Sequence, residues 1–258
     1  MRRIRVIPTL LLDSSGGLVK TVKFGKRTYI GDPINAVKIF NDKGVDELVI
    51  LDIDATRDKR EPNYALVEDI VSEAFMPIGY GGGINDIQQM QNLIQCGLEK
   101  VILSTAAHER PEIISEASRQ FGAQSVVVCL DLKQSLFGTS CAMTRSGTQK
   151  TKLDPVKAAR RAVDLGAGEL IVCAVDRDGT FSGYDQRLLQ TITKNVDVPV
   201  VALGGARGIN DFNVAIEQCG CSAVAAGSMF VYHGTNKGIL ISYPSELELQ
   251  HFYQELNS

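Results

Sequence analysis

Eight short apolar runs, each followed by a stretch whose apolar residues recur at helical spacing, predict an α/β protein of the (β/α)8 barrel class. Two further observations point the same way. The runs are continuous instead of alternating, as expected of parallel strands covered on both faces. The chain also repeats itself at a fixed offset, a feature that the structural alternative, an open doubly wound sheet, does not predict.

In order, the runs are residues 4–12, 47–53 (ELVILDI), 76–80 (MPIGY), 100–104 (KVILS), 125–131 (SVVVCLD), 169–175 (ELIVCAV), 198–203 (VPVVAL) and 222–228 (SAVAAGS). Each is rich in Val, Ile, Leu or Ala. Between them lie amphipathic stretches such as 32–44, 85–97 and 154–166, which open on Asp or Asn and close on Gly, the capping asymmetry of a helix. Eight such units fill a single TIM-barrel domain over residues 1–258.

The bulk numbers agree with a soluble enzyme-sized core: 44% hydrophobic and 22% charged residues. A net charge of −3 suggests neither nucleic-acid nor anionic-membrane binding. The opening MRRIRVIPTLLL puts basic residues before an apolar run, but that run is short, lacks a small-residue cleavage site and enters a turn, so it reads as a strand. No apolar stretch reaches the roughly 18 residues of a membrane span. The six cysteines are scattered and the three histidines lie far apart. A metal site or cofactor is therefore not expected, and a reducing cytoplasm is the expected location.

Setting Glu47 on Glu169 defines the repeat offset, 169 − 47 = 122. It also places Asp54 on Asp176, Gly82 and Gly83 on Gly204 and Gly205, Lys100 on Ser222, and Ala106 on Ser228. Two fused half-barrels explain a register held across so many different positions.

GGGIND (81–86) and GGARGIND (204–211) each lie between a strand end and a helix start, where convergent backbone N–H groups can hold an anion. The neighbouring strands end in STAA (104–107), with Ser104 and Thr105, and in AAGS (225–228), with Gly227 and Ser228. The repeated pair predicts two phosphate sites at one barrel mouth and an elongated ligand carrying two phosphates. The alternative is that small residues there only let loops pack tightly.

IPTLLL, GGLVK, DELVILDID, GGGI, KVILSTAA, LGAGEL, VDRDGTFSGYD and VPVVALGGA resemble the HisF family, the cyclase subunit of imidazole glycerol phosphate synthase, from Arg5 to about Phe230. The resemblance implies a barrel docked on a glutaminase, HisH, whose ammonia crosses the barrel and is used to cleave and cyclise a bisphosphorylated ribonucleotide. It implies two catalytic aspartates, at the ends of strands 1 and 5. The second is Asp131. The first falls on Leu11, so an alkyl group stands where the family has a proton carrier. Asp13, two residues on in the turn, is the one local candidate to replace it. Other mouth positions differ as well: the family's asparagine before the strand-4 threonine is Ser104, its strand-6 threonine is Cys173 and its strand-7 serine is Leu203. By the same resemblance Arg5, Glu47, Lys100 and Glu169 form a charged ring that gates ammonia entry; a structural plug of ion pairs is the alternative.

A retained gate with an altered cyclase site resembles the HisF paralogues of bacterial surface-polysaccharide pathways. These are thought to supply ammonia for turning an acetamido into an acetamidino group, with a separate ATP-using sugar amidotransferase. The expectation is thus an ammonia-conducting subunit whose cyclase activity is weak or lost. The alternatives are an ordinary histidine-biosynthesis cyclase, a lyase, using Asp131 with Asp13 or Lys20, and a barrel that only binds a phosphorylated metabolite. Lys20 either contacts phosphate or is a solvated lysine. Asp176, Asp178 and Gly179 either position a ligand or cap a loop. Segment 132–151 reads as a hairpin-like loop after strand 5 that could serve as a lid.

Overall fold

The computed structural model describes residues 4–135, 140–234 and 236–256. Among these, eight parallel strands close into a barrel: β1 (Arg5–Leu12), β2 (Leu48–Asp52), β3 (Ile78–Gly81), β4 (Lys100–Leu103), β5 (Val126–Gln134), β6 (Glu169–Ala174), β7 (Val200–Leu203) and β8 (Ala223–Ala226). They pair in chain order, β8 returns to β1, and the β5–β6 ladder completes the circuit. The (β/α)8 reading is correct, and each apolar run carries its strand with ends moved by no more than three residues. Ser104, for example, is the residue before a short helix, Thr105–Glu109, and lies just beyond β4.

The outer ring comprises α1 (Pro33–Asp42), α2 (Tyr64–Ser72), α3 (Ile87–Gln95), α4 (Glu112–Phe121), α5 (Pro155–Asp164), α6 (Gln186–Thr193), α7 (Ile209–Asn213, continued by a π turn, Val214–Gln218) and α8 (Glu246–Glu255). The capping residues act as their types suggest. The side chains of Asp32, Asp86 and Asp154 accept from the N–H groups of Asn35, Gln89 and Lys157 at 2.9, 2.8 and 3.0 Å. Gly97 and Gly166, at φ 102° and 101°, turn the chain out of α3 and α5.

Strand periodicity divides the apolar residues between two layers. On β1, Val6, Leu10 and Leu12 face the helices, whereas Ile7 packs inside the barrel with Val49, Ile102, Val127, Ile171 and Val201. The C-terminal segment, where the sequence resemblance fades, is tied to the first strand. Phe252 packs edge-on against Phe212 with ring centroids 6.1 Å apart, and the Tyr243 hydroxyl donates to the Val6 carbonyl at 2.9 Å.

Two antiparallel excursions rise from the first strand of each half. Leu18–Thr21 pairs with β1 and with Arg27–Gly31; Ser140–Thr144 pairs with the end of β5 and with Gln149–Lys150. The second lies in the segment read as a hairpin, although 136–139 fall outside the described residues. The first is not expected from LVKTVKFGKRTYIG, whose charges obscure a strand signal. Among the described residues no helix is long and apolar enough to cross a membrane.

Candidate functional site

The carboxyl ends of the strands surround a cavity lined by Leu11, Lys20, Phe24, Arg27, Leu51, Ser104, Thr105, Asp131, Asp178 and Leu203 among others. Because inward positions on β1 alternate, Arg5, Ile7, Thr9 and Leu11 share the interior face, and Leu11 reaches the mouth. Asp13 does not. Its carboxylate accepts from the backbone N–H groups of Ser15 and Gly17 at 2.9 and 3.2 Å and from the Ser15 hydroxyl at 2.6 Å, an Asx turn in the loop.

Asp131 is buried on β5, where the Ser104 hydroxyl donates to it at 3.0 Å and the Cys129 thiol lies 3.7 Å away. Burial pushes its carboxyl up to about 6, against the pull of those two donors and with a further push from Asp178. Such a group exchanges protons near neutrality. Asp178 is raised as well, again chiefly by burial and opposed by Lys20 and Thr21.

Lys20 is 5% exposed, so the solvated reading is corrected: the hairpin folds it inward. Its ammonium donates to the Thr9 carbonyl at 2.5 Å. Burial lowers it to about 8, opposed by Asp178. Asp176 stands apart from this cavity and accepts the Gln134 N–H at 2.7 Å, holding the β5 excursion.

The two glycine loops are built alike. Gly82 and Gly83 have φ of 120° and 73°, and Gly204 and Gly205 have 94° and 105°. A side chain at any of the four would strike backbone atoms of Asp52, Arg60, Ala174 or Gly183, so only glycine fits. The first loop, with Ser104 and Thr105, lines the main cavity; Gly179, Gly205, Gly227 and Ser228 line a second, smaller one that shares Asp178. Gly82 and Gly83 with the β4 end form one cradle, and Gly205 with Gly227 and Ser228 forms the other; Gly204 turns the chain out of β7 and lines neither cavity. A Cβ on Gly227 would collide with the Lys20 ammonium, so that cation borders the second cradle.

One contact escaped sequence reasoning. Arg27, on the first excursion, grips the buried Asp54 at the end of β2 through two hydrogen bonds of 2.6 and 2.5 Å. Phe24, between the paired strands of that excursion, packs on the interior cluster, and the N–H of Lys23 donates to the Asp178 carbonyl at 2.9 Å. The excursion therefore covers part of the mouth. Nothing in the spacing of residues 27 and 54 signals the pair.

At the opposite end, Arg5, Glu47, Lys100 and Glu169 form a closed ring of alternating charge. Arg5 binds Glu47 at 2.5 Å and also binds Glu169; Lys100 reaches Glu47 at 2.9 Å and Glu169 at 2.7 Å. Burial alone would raise the Glu169 carboxyl, but Arg5 and Lys100 hold it below its ordinary value. Between this floor and the mouth the wall is almost wholly apolar.

The profile of the histidine biosynthesis protein family matches residues 5–237. A Pseudomonas aeruginosa protein provisionally named imidazole glycerol phosphate synthase subunit hisF2 is 46% identical over 95% of this chain and 97% of its own. A Leptospira interrogans protein provisionally named as the HisF subunit of that synthase is 44% identical over 95% and 96%. The HisF subunit of imidazole glycerol phosphate synthase of Alkaliphilus metalliredigens is 38% identical over 89% and 90%.

Proposed function

This chain belongs to the HisF family of histidine biosynthesis proteins, and from that premise we propose that it is the barrel subunit of a glutamine-dependent complex. It takes ammonia from a HisH-like glutaminase at the charged floor. It conducts the ammonia through the apolar interior to a phosphorylated ligand, or to an ATP-using amidotransferase that makes an acetamidino group on a surface-polysaccharide sugar. Cyclase activity is weak or lost.

The observation that carries this reading is Leu11 at the mouth with Asp13 tied into its own turn. Ring closure needs proton transfer on two sides of a substrate, and this cavity offers Asp131 with no carboxylate from β1. The floor supports the conducting role. Its four charges cancel, so the ring carries no net charge, and one swinging side chain opens a path into an interior that would strongly disfavour ions. Cavity and cradles also suit a ligand with two phosphates, with Ser104, Thr105, Gly82 and Gly83 at one end and Gly179, Gly205, Gly227 and Ser228 at the other.

An ordinary cyclase is the second reading, favoured by the intact cradles and by Asp131, Asp178 and Lys20 around one cavity. Purified protein, supplied with ammonium salt and the bisphosphorylated ribonucleotide, separates the two. Negligible turnover is expected; turnover at the rate of a HisF carrying both aspartates would establish the cyclase instead.

A further inference from the structure

β1 presents four side chains to the inside of the barrel in sequence: Arg5 at the floor, Ile7, Thr9, and Leu11 at the mouth. At roughly 3.3 Å per residue, Thr9 lies about 13 Å above Arg5. It is 3% exposed and lines the lower part of the mouth cavity. Its hydroxyl has no hydrogen-bond partner among the described residues. The same residue's carbonyl is occupied by the Lys20 ammonium at 2.5 Å, so the backbone is satisfied while the side chain is not.

A buried hydroxyl without a partner is unfavourable, and valine has the same shape without that cost. The neighbouring interior is alkyl or thiol: Ile7, Val49, Ile102, Cys129 and Cys173. Anything small that enters this space finds its hydrogen bond at Thr9. The charges nearby restrict what that can be. Lys20 repels a cation at Thr9, and the alkyl and thiol wall around it disfavours a guest that carries charge of either sign.

We propose that the Thr9 hydroxyl binds one small neutral hydrogen-bonding molecule, ammonia or water, about two-thirds of the way from the charged floor to the mouth. That ammonia is the physiological guest rests on the conducting function proposed above; that a guest is held there does not. Thr9 is then a positioning residue that holds a guest beside the Lys20 ammonium, one inward position below Leu11.

The test uses the protein and two variants, Thr9→Val and Thr9→Ser. Crystal structures at better than about 2 Å should show an ordered, solvent-sized peak at hydrogen-bond distance (roughly 2.7–3.2 Å) from the hydroxyl in the parent and in Thr9→Ser, and none in Thr9→Val. An empty site in the parent overturns the proposal. So does a higher melting temperature for Thr9→Val, because relief of an unpaired hydroxyl is what a dry site predicts. Melting in ammonium chloride against sodium chloride near pH 9 then separates the guests. A stabilisation by ammonium that Thr9→Val lacks identifies ammonia; equal responses identify water and overturn the assignment of ammonia. Failure of the conducting function shows elsewhere, as glutamine-to-acceptor coupling in the glutaminase complex that Arg5→Ala leaves unchanged.

Discussion

Leu11 and Asp131 line one cavity from strands β1 and β5, which stand four places apart in a circuit of eight and so face each other across the barrel. An alkyl group thus opposes the carboxyl that burial has tuned toward neutrality. The arrangement keeps one half of an acid–base pair.

Leu11→Asp should raise cyclase turnover at least 100-fold over the parent, the usual contribution of a positioned acid or base. Initial rates with ammonium salt and the bisphosphorylated ribonucleotide measure it. No increase would mean that Ser104, Cys173 and Leu203 have already reshaped the pocket against that substrate.

Asp131→Asn should stabilise the protein at pH 8 and not at pH 4. In the folded chain the carboxyl keeps its proton to about pH 6, whereas unfolded it releases it near 3.8, as an ordinary aspartate does. The native state thus binds more protons across that window, and stability falls as pH rises through it. Removing the charge should return on the order of 2–3 kcal/mol above pH 6, an upper figure from the linkage relation. Urea melts at the two pH values provide the comparison.

Arg5→Ala should weaken both the fold and the coupling to glutamine hydrolysis. It leaves the buried Glu47 and Glu169 with Lys100 as their shared cation within the ring. Breaking a buried ion pair by deleting one partner costs about 3–5 kcal/mol, and Arg5 is partly solvated, so a loss of roughly 2–3 kcal/mol is expected. Because Arg5 and Lys100 hold the Glu169 carboxyl low, the ring's stabilisation should also fade as pH falls into the acid range. Chemical denaturation at pH 7 and pH 4, with glutamate release against ammonia transfer in the complex, tests both.

Arg27→Ala should loosen the first excursion with little effect on the barrel. Amide exchange across residues 18–31 should quicken by about 10-fold or more, while β5 to β8 stay protected. Equal exchange in parent and variant would show that Phe24, the Lys20 and Lys23 hydrogen bonds and the pairing with β1 hold this segment without Arg27.

How far the sequence could be read follows from the range of each interaction. The strands were legible because both faces of each are covered, which writes the fold as continuous runs such as VVVCLD. The glycine loops were legible because close backbone approach admits one residue type. Leu11 was legible as a departure from a known motif. Lys20 was not: whether a lysine is solvated or folded onto a carbonyl depends on the excursion carrying it. The Arg27–Asp54 pair joins residues from separate units, and the unpaired Thr9 hydroxyl exists only by virtue of what surrounds it. Asp176 and Asp178, two residues apart in one motif, went to a loop and to a cavity wall, a division only the local turn decides.

The floor ring has an unequal parentage. The first half of the chain contributes Arg5, Glu47 and Lys100, and the second contributes Glu169, with Ser222 at the place corresponding to Lys100. Two copies of the first half would crowd surplus cations at the axis, and two copies of the second would leave a pair of bare carboxylates there. Only the heterologous pairing neutralises itself, so an uncharged floor is a property of the whole chain that neither half would carry if doubled.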